Sequence, residues 1–78
     1  MARTFVDADL REWEAYPSGG LYGLPDDAKL VFHCLSDPDE RPRFVRRRGE
    51  DNAEVAAEVE QLGDDELRAL FAESEPLP

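Results

Sequence analysis

The stretch Lys29 to Ser36 (KLVFHCLS) alternates so that Leu30, Phe32 and Cys34 point one way while Val31, His33 and Leu35 point the other. A strand that is apolar on both sides belongs in the middle of a sheet, so this segment needs strands on either flank. Candidates are close by. Thr4-Phe5-Val6, within Arg3 to Asp7, reads as a short strand, with Asp7-Ala8-Asp9 as a turn. Leu10 to Tyr16 follows, with Arg11, Trp13 and Ala15 on one face and Glu12 and Glu14 on the other, as in a half-buried antiparallel strand. After Lys29 to Ser36, Asp37-Pro38-Asp39-Glu40 carries a proline suited to a turn's second position. Arg43 to Arg47 makes the last expected strand. Pro17 to Ala28 (PSGGLYGLPDDA) holds three glycines and two prolines and is expected to be irregular throughout.

The periodicity then changes from two to 3.6. Asp51-Asn52-Ala53-Glu54 fits a capping box, and Val55, Val59 and Leu62 form an apolar helical stripe behind it. Gly63 ends that helix and can cap the next, with Leu62 and Leu67 spaced as a hydrophobic staple. Asp64, Asp65 and Glu66 fill the second helix's first turn, where the macrodipole favours anions. Leu67, Leu70 and Phe71 give it a buried face, and Pro76 marks its end.

The expected fold is α+β: a three- to four-stranded antiparallel meander followed by two C-terminal helices packed on one face. Residues 1–78 form one domain, with the sheet in 3–48 and the helices in 51–74, because chains split into separate cores only at several times this length. The alternative leaves the first strand frayed and the helices as a separate hairpin that docks a partner. The expected core draws on Phe5, Val6, Leu10, Trp13, Leu30, Val31, Phe32, Leu35, Phe44, Val45, Val55, Val59, Leu62, Leu67, Leu70 and Phe71.

Charge divides the chain unevenly. Nine Lys and Arg face nineteen Asp and Glu, for a net charge of −10. Five of the nine bases, Arg41, Arg43, Arg46, Arg47 and Arg48, fall within eight positions. From Glu50 onward ten carboxylates meet only Arg68, a net of −9 that leaves −1 for the first 49 residues. Phosphates would be repelled over most of such a surface, so nucleic-acid binding by the whole chain is not expected. One Lys, eight Arg and no Ile also match a GC-rich coding bias, and abundant carboxylate suits a salty cytoplasm. The N-terminus lacks the apolar stretch of a secretory signal, and no run approaches the ~20 apolar residues that span a bilayer. A single cysteine, Cys34, cannot form an internal disulfide, which makes a reducing cytoplasm the expected location.

Candidate chemistry centres on the arginines. If Phe44 points to the core, Arg43, Val45 and Arg47 share the opposite face while Arg46 and Arg48 lie on Phe44's side. The functional reading is an anion-binding stripe, with Phe44 or Tyr22 as a stacking partner. The structural reading has them protect the sheet edge against aggregation and neutralise the acidic helices. The glycine-rich loop lacks a P-loop's Lys-Ser/Thr and is not expected to cradle phosphate; its Leu21, Tyr22 and Leu24 are expected to fold over the core as a lid rather than stand exposed as a binding patch, because a small domain needs its apolar contacts. His33 and Cys34 are neighbours on a strand and point to opposite faces, so they form no nucleophilic pair. His33 is expected to be a buried or partly buried structural residue. One His and one Cys fall short of a closed zinc site, and no cofactor or metal is expected. Trp13 reads as a core anchor. The expected function is a non-enzymatic protein-interaction or accessory module that engages a protein partner or a second copy of itself. RNA or anion binding through Arg41 to Arg48 is the alternative.

Overall fold

The computed structural model describes residues 2–20, 27–47 and 50–77. Among them the chain forms β1 (Arg3–Val6), β2 (Glu12–Ser18), β3 (Ala28–Cys34), β4 (Arg43–Arg47), α1 (Asn52–Gln61), α2 (Asp64–Glu73) and β5 (Glu75–Pro76). The strands make one antiparallel sheet in the order β1-β2-β3-β4-β5, with β3 in the centre as its two-sided apolar pattern requires. The α+β meander with two helices on one face is therefore present, with one strand more than expected.

The register assigns each side chain a face. Phe5 lies opposite Trp13, Trp13 opposite Cys34, Ala15 opposite Phe32 and Leu30 opposite Val45. Phe5, Trp13, Ala15, Ala28, Leu30, Phe32 and Cys34 make a single buried cluster with Val55 and Val59 of α1 and Leu67 of α2. Leu62, Leu70, Phe71 and Val45 pack around it. Phe71 is the aromatic hub, with ring centroids 4.6 Å from Trp13, 5.4 Å from Phe32 and 5.6 Å from Phe5, two of these contacts edge-on. Tilted and edge-to-face geometries bring positive ring edges to negative ring faces, which adds to the burial itself.

Side-chain hydrogen bonds set the connections. Asp7 Oδ1 accepts from the N–H groups of Asp9 (2.8 Å) and Arg11 (2.9 Å), and Oδ2 accepts from Trp13 Nε1 (2.8 Å). The turn therefore runs through Leu10, which adopts φ 64° and is 84% exposed. This corrects two expectations: β2 starts at Glu12 rather than Leu10, and Leu10 is not in the core. The far end of β2 also differs, since Pro17 and Ser18 continue the strand opposite Leu30 and Lys29. β1 ends its pairing at Ala15, so Pro17 sits where β2 has a partner on one side only, a position that tolerates a missing N–H. Val6 and Leu35, also expected in the core, are exposed on the face away from the helices.

The first helix is anchored at both ends. Asp51 accepts from the Glu54 N–H (2.8 Å), while the Asn52 N–H and Nδ2 donate to Gly20 O and Gly19 O, both at 3.0 Å. Gly19 and Gly20 hold φ of 70° and 64°, and a Cβ on Gly20 would lie 2.7 Å from the Ala28 backbone nitrogen, so only glycine fits this approach. At the other end the Arg3 guanidinium donates to Val59 O (3.0 Å) and Leu62 O (2.6 Å) and pairs with Asp64 (3.1 Å). A cation thus meets the negative pole of α1 and ties β1 to the helix junction. Glu66 accepts from the Gly63 N–H (3.0 Å), and Leu62 and Leu67 bracket that cap as a staple.

Two outcomes follow. Phe71→Ala removes the ring at the centre of the aromatic contacts and should cost about 2–4 kcal/mol in urea unfolding, a large share of a small domain's stability. For Asp7, burial pushes the carboxyl up, but the hydrogen bonds from Arg11, Trp13 and Asp9 and the Arg11 charge outweigh it and hold the group below its ordinary value. A depressed carboxylate stabilises the fold above its unfolded pKa and loses that contribution as pH falls through the folded one. Wild type should exceed Asp7→Asn by about 1–2 kcal/mol at pH 7, with the gap closing below about pH 4. A gap unchanged at pH 2.5 would contradict this account of the turn.

Candidate functional site

Because both helices cover the face that holds Trp13 and Phe32, the pleat leaves the alternate residues on the opposite face, the open face, which neither helix covers. Three cross-strand rows cross it. Thr4, Glu14 and His33 are in register across β1, β2 and β3. Tyr16, Val31 and Phe44 follow across β2, β3 and β4, with Glu75 of β5 beside Phe44. Ser18, Lys29 and Arg46 form the third. Val31, with Tyr16 and Phe44 as its cross-strand neighbours, is only 5% exposed. The centre of the open face is thus an aromatic–aliphatic–aromatic row. A shallow depression bounded by Phe44, Val45, Arg46, Glu73 and Glu75 adjoins it.

This geometry corrects the expected placement of the arginines. Phe44 points to the open face and Val45 to the core, so Arg43 and Arg47 project on the helix side. Arg43 donates to Ser74 Oγ (2.8 Å) and Ser74 O (2.5 Å) at the end of α2, with its guanidinium 5.8 Å from the Phe71 ring centroid. Arg47 pairs with Glu58 of α1 and lies 3.4 Å from Glu50. These two side chains hold the helices and β5 onto the sheet. Arg46 lies on the open face with its guanidinium 5.9 Å from the Phe44 ring centroid. Arg41 is exposed ahead of β4, and neither Arg41 nor Arg46 forms an ion pair with a described residue. Arg48, Tyr22 and the proposed lid of Leu21 and Leu24 lie outside the described residues.

The edge argument also changes. β5 pairs with Arg43 and Phe44, and the Leu77 N–H donates to Pro42 O (2.8 Å). The C-terminal segment therefore shields the first half of β4, and Pro76 is inside the sheet. It suits an edge because it has no N–H to leave unpaired.

His33 is exposed rather than buried, since its alternation puts it on the uncovered face, and Glu14 stands across from it. Cys34 is buried on the opposite side, where its sulfur lies 3.8 Å from Ser36 Oγ. A second depression lies between the β1–β2 turn and α2, bordered by Asp7, Trp13 and Phe71. Its groups are engaged within the chain: Asp7 with three donors, Arg43 with Ser74, and Arg11 with Glu40 at 3.6 Å. Among the described residues no group of three His, Cys, Asp or Glu is placed to hold a metal ion, and no helix is long and apolar enough to cross a membrane.

The open-face row was accessible to sequence reasoning only in part. Tyr16 and Val31 follow from alternation. Phe44 did not, because Phe44 and Val45 are both apolar and only the pairing with β3 decides which of them turns inward. No family model, curated protein or solved structure matches this chain.

Substitutions separate the two arginine classes. Arg43→Met and Arg47→Met should each lower stability by about 1–2 kcal/mol, through lost partly buried hydrogen bonds and unpaired carboxylates. Arg46→Met should stay within about 0.5 kcal/mol, as for an exposed side chain. Urea midpoints that rank Arg46 with the other two would overturn the division.

Proposed function

We propose that this chain is a non-enzymatic protein-interaction module that docks a protein partner on the open face of its sheet. The observation that supports this most directly is the Tyr16–Val31–Phe44 row, which spans three strands on the side the helices leave bare. Aromatic residues and Arg at the centre of a patch with polar residues around it have the composition of binding hot spots. Here Arg46, Lys29, Glu14, His33 and Glu75 supply the polar surround. The sheet beneath is held by the core on its other side, so the row is presented rigidly and loses little conformational entropy on binding.

The same face is a poorer platform for RNA. Base stacking needs a free ring face, and Arg46 already leans over Phe44. Arg43 and Arg47, which a phosphate backbone would need, point to the helices. Electrostatics also favour a different protein over a second copy, because two chains of net charge −10 repel at long range. A cytoplasmic setting suits the single, buried, unpaired cysteine.

Peptide-library selection against the folded chain tests the reading. Selected peptides should perturb the amide resonances of Tyr16, Val31 and Phe44, and Phe44→Thr, which keeps strand propensity, should weaken them at least tenfold. Ligands that map to the outer faces of α1 and α2 would sink the proposal, as would RNA that shifts the open-face resonances in their place.

A further inference from the structure

The third row of the open face contains an arrangement that the fold does not explain. Lys29 and Arg46 lie directly opposite each other on β3 and β4. Like charges facing across a ladder destabilise the pair. In a chain with nineteen carboxylates, neither of these cations forms an ion pair with a described residue. Ser18 of β2 completes the row beside Lys29. Adjacent strands stand about 4.8 Å apart, so a hydroxyl-, an ammonium- and a guanidinium-bearing residue occupy successive positions of one row.

The Tyr16–Val31–Phe44 row lies two residues away along the same strands, roughly 6.7 Å. That distance equals the separation of residues i and i+2 in an extended peptide. We propose that the Ser18–Lys29–Arg46 row receives a carboxylate of an extended peptide segment whose apolar side chain, two residues away, covers Tyr16, Val31 and Phe44. The proposal rests on the open face being the docking surface and adds the chemistry of its occupant.

The net charge of −10 does not exclude such a partner. The outer faces of α1 and α2, where Glu54, Glu60, Asp65 and Glu66 are exposed, are on the far side of the molecule. The molecule's shortest dimension is 20 Å, more than twice the ~8 Å screening length at physiological ionic strength. A carboxylate at the row therefore meets mainly Lys29 and Arg46. Two carboxylates stand near the row: Asp27, two residues before Lys29 in the chain, and Glu75, beside Phe44. The apolar residue of the peptide, not its carboxylate, would cover the Glu75 position.

The test uses a labelled eight-residue peptide with blocked ends, Leu and Glu alternating on one face and Ser on the other, at 0.15 M salt. Its controls are the same peptide with Gln for Glu, and an oligouridine RNA. The Glu peptide should bind at least tenfold more tightly than the Gln peptide, and Lys29→Gln with Arg46→Gln should abolish that difference. Lys29→Glu is the diagnostic variant. It replaces a repulsive pair by an attractive one, so the urea midpoint should rise while binding of the Glu peptide is lost.

Equal affinity for the Glu and Gln peptides, both dependent on Phe44, would overturn the carboxylate site and leave open-face docking intact. Binding that Phe44→Thr does not change would overturn both readings. Absence of Glu-peptide binding at millimolar concentration, or tighter binding of the RNA at the same row, would overturn the inference. So would a Lys29→Glu variant that still binds the Glu peptide.

Discussion

The seating of Phe71 among Phe5, Trp13 and Phe32 is the contact on which the rest of the arrangement depends. A small domain buries only about 60% of its unfolded surface, so it has few large side chains with which to hold two layers together. Here three of those rings come from three adjacent strands and the fourth comes from α2. Their convergence puts both helices on the same side of the sheet. That leaves the opposite face without a helix over it. The proposed docking surface is thus a consequence of where the core formed: one side of each strand was used for packing against the helices, and alternation put the remaining side chains on the other.

The same alternation divides the arginines. Arg43 and Arg47 are four residues apart, in the same phase, and emerge on the helix side, where Ser74 at the end of α2 and Glu58 of α1 meet them. Arg46, in the opposite phase, emerges on the other side with Phe44 and Lys29. A cluster that reads as one basic stretch in one dimension becomes two groups with different work. One group ties acidic helices to the sheet. The other marks the cationic end of the face opposite the helices. Arg3, far from the cluster in sequence, does a similar tying job at the junction of α1 and α2.

Elements with strong local patterns were legible in advance. The two-sided apolar run of β3, the Asp51 cap, the Gly63 break with its Leu62 and Leu67 staple, and the Asp37 to Glu40 turn all follow from short-range chemistry. What was not legible depended on contacts distant in sequence. Leu10 looked like the first residue of a strand, but Asp7 holds the preceding turn one step longer through the backbone N–H of Arg11. β5 has two residues and no pattern of its own, and it exists because Arg43 captures Ser74 and draws the chain alongside β4. His33 reads as a core residue because its neighbours are apolar, whereas it is exposed on the face that the helices do not cover.

By itself, the order of residues determined the period of each segment, the identity of the central strand, the caps and breaks of the two helices, and the overall excess of negative charge. These are properties of neighbours within four or five positions, where sterics and hydrogen bonding act without knowledge of the rest of the chain. The tertiary structure decided which side of each strand became the inside. For β4 this was not a local matter, since Phe44 and Val45 are both apolar and either could have turned inward. The pairing of Val45 with Leu30 and of Phe44 with Val31 settled it, and with it the position of every arginine on that strand. A shift of one residue in that pairing would have exchanged the two faces.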